Sequence, residues 1–184
     1  MQRTFLAACC ACAVMSALAC SEDPSPTADP GNPVCSGDYS ELPASGVSLE
    51  HDLIPIFVAS CTFSSCHDPS AKKAGLVLGD PKVPIDSALL REVRDSLLAQ
   101  STTVKSPVVP RVTPGDPTTS FLLDKVTATQ NDRGYAQCEN QDPRGSSANT
   151  CGDAMPLSDA AFCTTNPNKV IAIAQWIRDG APQN

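Results

Sequence analysis

Six cysteines lie beyond residue 20, at Cys35, Cys61, Cys66, Cys138, Cys151 and Cys163, and what they can do depends on where the chain folds. One Arg precedes an uninterrupted small and apolar run, Phe5 to Ala19, which has the make-up of an export signal and is too short to span a bilayer as a helix. Removal of such a signal takes Cys9, Cys10 and Cys12 with it. Six cysteines outside the cytoplasm form an even, disulfide-permissive set, so the loops that carry them are expected to be cross-linked. Counting leaves two arrangements open: three disulfides, or two disulfides and one pair kept for other chemistry.

The signal ends in "SALAC", which resembles the bacterial lipoprotein signal. The resemblance implies that residues 1–19 are removed, that Cys20 becomes an acylated N-terminus, and that the chain is anchored to the lipid bilayer through it. The alternative is an ordinary signal peptide cut after an Ala-x-Ala-like site. Ser21 follows the cysteine, which implies sorting to the outer membrane of the cell envelope. Residues 21–34, SEDPSPTADPGNPV, lack periodicity and read as spacer. The domain boundaries expected are therefore 20–48 for the lipidated N-terminus and tether and 49–184 for the folded domain, with folding starting between Cys35 and Leu49.

The whole chain has 13 Lys+Arg against 20 Asp+Glu, a formal charge of −7. Arg3 is lost with the signal, and no basic run appears elsewhere, so no nucleic acid partner is expected. With 17 prolines and 4 % aromatic residues, the composition predicts short helices and long ordered loops around a modest core. In "SLEHDLIPIFVASC" Asp52 is expected to cap a helix with Pro55 in its first turn and Leu53, Ile56, Phe57 and Ser60 on one face. "AKKAGLVLGDP" reads as extended or turn. "IDSALLREVRDSLLAQ" places Ile85, Leu89, Val93 and Leu97 four apart and predicts the clearest helix. "SPVVPRVTPGDP" is held extended by its prolines, and Asp116 can cap a short helix begun by Pro117. Residues 127–156 read as a long loop, "LSDAAFC" as a turn or two of helix after Ser158, and "NPNKVIAIAQWIRDG" as a final helix capped by Asn166 and stopped by Gly180. The sum is an all-α domain of four or five short helices with disulfide-braced loops.

One stretch, "CTFSSCHD" from Cys61 to Asp68, carries a chemical signal. A c-type haem needs two cysteine sulfurs for thioether bonds and an imidazole directly after the second cysteine, and Cys61, Cys66 and His67 supply them. Four residues separate these cysteines where the familiar motif has two. A high-potential electron carrier also wants a neutral thioether as its distal ligand. Met155 is the one methionine beyond the signal, in a polar loop between Asp153 and Pro156. The competing reading closes Cys61 and Cys66 into a disulfide, leaves His67 as a polar loop residue and makes Met155 a core gap-filler.

The order "LIPIFVASC", "CTFSSCH", "GLVLGD", "RVTPGDPTTSFLLDKV", "CGDAMP" and "IAQWIRDGAP" resembles the class I cytochrome c fold, over most of residues 50 to 182. The resemblance implies one covalent haem c and a bundle in which Trp176 on the last helix packs where that helix crosses the first. It also implies one-electron transfer between redox partner proteins of the envelope, with no catalysis of its own. The departure is the enlarged Cys-x4-Cys-His loop. Cys35, Cys138, Cys151 and Cys163 are then structural, in any of three pairings, with Cys138 to Cys151 or Cys151 to Cys163 bracing the Met155 loop. His51 reads as a surface residue; Arg111 reads as a solvated loop residue or as the partner of a haem propionate. The reading from another class is a haem-free, disulfide-stapled envelope lipoprotein that uses the same scaffold for binding or structure. No zinc cluster, phosphate loop or nucleophile signature is apparent.

Cys20→Ala in the full chain is expected to abolish metabolic labelling by fatty acid and to release the mature protein from the membrane fraction. Unchanged labelling and fractionation would count against the lipoprotein signal.

Overall fold

The structure, a computed structural model, describes residues 33–43, 45–139, 151–157 and 162–184. Cys20 and Ser158 lie outside the described residues, as does most of the tether. The described chain is mostly helical: α1 Ile54–Cys61, α2 Ser87–Leu98, α3 Phe121–Thr127, α4 Phe162–Thr165 and α5 Pro167–Arg178. One feature departs from the all-α expectation. β1 Val104–Ser106 pairs antiparallel with β2 Gln137–Cys138, an edge contact between two loops that neither loop's sequence signals alone.

Entry into α1 differs from the expectation that Asp52 caps it. Ser48 holds the cap position, its Oγ accepting from the His51 N–H at 3.1 Å, and the Asp52 carboxylate accepts from the Ser48 N–H at 2.7 Å. The chain passes through a π-helical turn, Leu49–Leu53, whose last bond runs from the Ile54 N–H to the Leu49 carbonyl. Pro55 has no N–H for the regular ladder, so the widened turn lies where the proline interrupts it. The buried face is consequently Leu49, Leu53, Ile54 and Phe57; Ile56 is half-exposed. The remaining amides of this start are taken up by Asn184, whose backbone carbonyl accepts from Glu50 N at 2.9 Å and whose Oδ1 accepts from Leu49 N at 3.0 Å.

α2 follows its sequence pattern from Leu89 on, whereas Ile85 lies ahead of the helix and is half-buried. Asp86 caps it through the Ala88 and Leu89 amides, and Leu89, Leu90, Val93 and Leu97 are buried. Asp116 accepts from Thr118 N and Thr119 N, but the turn it caps, Pro117–Thr119, is a separate 3₁₀ segment, and α3 begins after Ser120. α5 has Pro167 in its first turn and buries Val170, Ile173, Ala174, Trp176 and Ile177. Trp176 is fully buried, and its Nε1–H donates to the Pro182 carbonyl at 3.0 Å. Asn166 stands at the cap without a side-chain hydrogen bond.

The packed unit reaches N-terminally of residue 49. Val34 and Leu42 belong to the core cluster, Cys35 is disulfide-bonded to Cys163, and Arg178 donates to the Leu42 and Pro43 carbonyls at 2.6 and 2.7 Å. The segment Leu76–Leu78 is extended and buried, and Gly79 at its end passes close to α1. A Cβ at Gly79 would lie 2.7 Å from Val58 Cγ2, and φ there is +141°, so both space and backbone require glycine. No helix among the described residues is long and apolar enough to cross a membrane.

Gly79→Ala is expected to lower stability by about 1–3 kcal/mol, seen as an earlier urea midpoint with an unchanged slope. A midpoint equal to the parent's would show that the α1 contact is not tight.

Candidate functional site

A cavity of about 600 Å³ lies between the C-terminal end of α1, the loop that follows it, α3 and residues 151–157. That volume falls in the range of small-molecule and cofactor sites, about 300–1,000 Å³. Its walls are largely apolar, with Phe57, Leu76, Leu78, Phe121, Leu122 and Phe162 among them. Cys61, Cys66, His67 and Met155 all line it, although Met155 is 88 residues from His67 in the chain.

The cysteine loop is closed by its backbone. The His67 N–H donates to the Cys61 carbonyl at 3.1 Å and the Cys66 N–H to the Phe63 carbonyl at 2.8 Å, so the two ends of the enlarged loop are tied together. The additional residues bulge outward, leaving Phe63, Ser64 and Ser65 exposed. Both thiols are free. Burial pushes the Cys61 thiol up to about 12, with Lys169 opposing weakly, so it is protonated at neutral pH and a poor partner in thiol exchange.

His67 is 8 % exposed. Its Nδ1 is 3.1 Å from the Lys73 carbonyl, which can only accept, so Nδ1 carries a proton, and the Leu76 backbone also bonds the ring. Burial holds the imidazole below its ordinary value, against the backbone hydrogen bonds that favour the cation, and keeps it neutral. A neutral, oriented imidazole on an apolar cavity is a competent metal ligand.

The four other cysteines among the described residues form two disulfides, Cys35–Cys163 and Cys138–Cys151. The Cys138–Cys151 pairing braces the Met155 loop, and the alternative between Cys151 and Cys163 does not occur. Cys151 also lines the cavity. His51 is exposed, as expected.

Arg111 corrects the expectation of a solvated loop residue. It is 6 % exposed, lines the cavity, and donates from Nη1 to the Ser96 carbonyl at 2.8 Å and from Nη2 to the Ala74 carbonyl at 2.6 Å. Its four flanking prolines gave no hint of this, because the burial comes from α2 and residue 74 folding over it.

Sequence reasoning overlooked the group that holds the Met155 loop. Lys125, Gln130 and Asn131 all bond to it: the Met155 N–H donates to the Lys125 carbonyl at 2.8 Å, Gln130 Nε2 donates to the Gly152 carbonyl at 2.9 Å, and Asn131 Oδ1 accepts from Cys151 N at 2.8 Å. The available signal was the pair Asp124 and Lys125, adjacent charges in an otherwise apolar "SFLLDKV". Asp124 is buried at 4 % exposure, paired with Arg133 Nε at 2.9 Å and accepting from the Tyr135 hydroxyl at 2.7 Å.

No family model matches this chain, and no curated protein or solved structure matches it either.

Because the folded chain holds His67 neutral, the unfolded chain binds the extra proton more readily, and stability should fall as pH drops below the ordinary histidine value of 6.5. In urea unfolding of the ligand-free chain between pH 7.5 and 5.5, His67→Gln should therefore show a shallower loss than the parent. Identical pH slopes would sink this assignment.

Proposed function

We propose that the cavity holds one covalently attached c-type haem and that the chain is a one-electron carrier of the cell envelope. The single observation that supports this most is the company around one apolar cavity. The two described cysteines outside disulfides, the histidine that follows them and the methionine that survives the signal all line it. Such a haem supplies, when bound, an iron that cycles by one electron without bond-making on a substrate.

The chain's own residues divide the work. Cys61 and Cys66 are the thioether anchors, and their backbone-tied loop accommodates the two extra residues by extruding Phe63 to Ser65. His67 would supply an imidazole nitrogen to the iron, with the Lys73 carbonyl fixing its ring. Met155 would offer a neutral sulfur from the 151–157 segment, and the apolar walls would limit water. Arg111, a buried cation bonded only to carbonyls in the described contacts, would meet a carboxylate of the ligand. Among the described residues no three His, Cys, Asp or Glu side chains cluster as a metal site. A metal carried inside a macrocycle would need only two side-chain ligands here, His67 and Met155.

The cytochrome c-like arrangement belongs to this same proposal, supported by α5 packing on the turn that leads into α1. So do the acylated Cys20, an envelope location and a basic docking face on the redox partner, which the net charge of −7 favours. The haem-free reading has less support in its three-disulfide form, since Cys61 and Cys66 are unpaired and the Cys61 thiol is held protonated.

Protein made with the c-type maturation system should be red, show sharp visible bands on reduction, and keep its haem through denaturing electrophoresis. Cys61→Ala with Cys66→Ala should lose the covalent haem entirely. Met155→Ala should retain it but lose the six-coordinate low-spin spectrum. Colourless parent protein would overturn the proposal.

A further inference from the structure

Residues 151–155 lack regular structure, yet a methionine that is to meet a metal must be held to a fraction of an ångström. Three tethers, the Cys138–Cys151 disulfide, Asn131 Oδ1 on Cys151 N and Gln130 Nε2 on the Gly152 carbonyl, grip only the beginning of this segment. Among the described residues, the hydrogen bonds to Asp153 and Met155 come from Lys125 alone.

Lys125 makes these bonds from two directions. Its Nζ donates to the Cys151 carbonyl at 3.2 Å and to the Asp153 carbonyl, so the carbonyls of alternate residues converge on one ammonium. Its own carbonyl accepts from the Met155 N–H at 2.8 Å. That carbonyl is available because α3 stops early. Ala128 adopts a left-handed conformation, φ +66°, and both the Ala128 and Thr129 amides turn back to the Asp124 carbonyl, passing over Lys125. The ammonium also sits 6.0 Å from the centroid of Phe121, one turn earlier on α3 and itself a wall of the cavity.

From this geometry we infer that Lys125 is a positioning residue for Met155: it closes residues 151–155 into a strap on α3 and sets the height at which the thioether enters the cavity. The inference rests on the reading of Met155 as distal ligand. The disulfide secures the strap's origin, while the lysine secures the end that carries the sulfur.

Two readouts on the full mature chain test it. In haem-free protein, Lys125→Leu, which keeps the apolar stem and removes the donors, should speed exchange of the Asp153 to Met155 amides roughly tenfold. Lys125→Arg should restore most of the protection. In haem-loaded protein, Lys125→Leu should lose the absorbance signature of methionine-sulfur ligation while keeping covalent haem. A control, Arg178→Leu, which breaks contacts to Leu42 and Pro43 at the far end of α5, should keep that signature. Unchanged exchange, or a sulfur signature lost equally in the control, would overturn the role of Lys125. If the parent takes up no haem, the functional reading fails, and the positioning role then stands or falls on exchange alone.

Discussion

The burial of α5 is the constraint on which the rest depends. This helix touches the 3₁₀ segment Pro33–Ser36, the turn that leads into α1, the Pro117–Thr119 turn, α3 and α4, so it serves as the spine to which both halves of the cavity attach. Through the Leu49–Leu53 turn it holds α1 and the cysteine loop; through α3 it holds the strap that carries Met155. Ile173, Ala174, Trp176 and Ile177 are fully buried along it. In a chain this poor in aromatics, the loss of that face would leave little else to fix the two walls relative to each other.

The two disulfides join this arrangement to its neighbouring segments, and Cys151 reaches the cavity wall. Cys35–Cys163 pins the N-terminal segment to α4, and Cys138–Cys151 joins the β2 edge to the start of the strap. Cys35–Cys163 joins residues 128 apart around most of the core, and Cys138–Cys151 joins residues 13 apart, so the first restricts the unfolded chain more. The centre is organised differently: an apolar cavity with two thiols, an oriented imidazole and an inward-facing guanidinium. A bound group filling it would add stability by mass action as well as function, since it would contact only the folded state.

Much of the frame was legible along the chain. The i, i+4 spacing in α2, the Asp116 cap and the Pro167 start of α5 are local rules, and local rules were obeyed where the hydrophobic pattern agreed with them. They failed at the entry to α1, where Asp52 looked like a cap but Ser48 and a π-helical turn took its place around Pro55. They were silent about the β1–β2 ribbon, because two- and three-residue strands have no periodicity to read. They also understated residues 33–43, a proline-rich and polar stretch whose Val34 and Leu42 are buried only because α4 and α5 receive them.

The sequence by itself determined the chemical vocabulary: the Cys61, Cys66 and His67 triad, the single methionine beyond residue 20 at Met155, the even count of cysteines beyond residue 20 and the helical stretches that carry or flank them. These are properties of residue identity and short spacing. Tertiary structure alone decided that the triad and Met155 face one cavity, that Cys35 pairs with Cys163 and Cys138 with Cys151, that Arg111 is buried, and that Lys125 ties the strap. Each of those depends on contacts between segments tens of residues apart. Such contacts follow from which apolar faces must be covered and which backbone carbonyls are left without partners, and neither is written in any single stretch of chain.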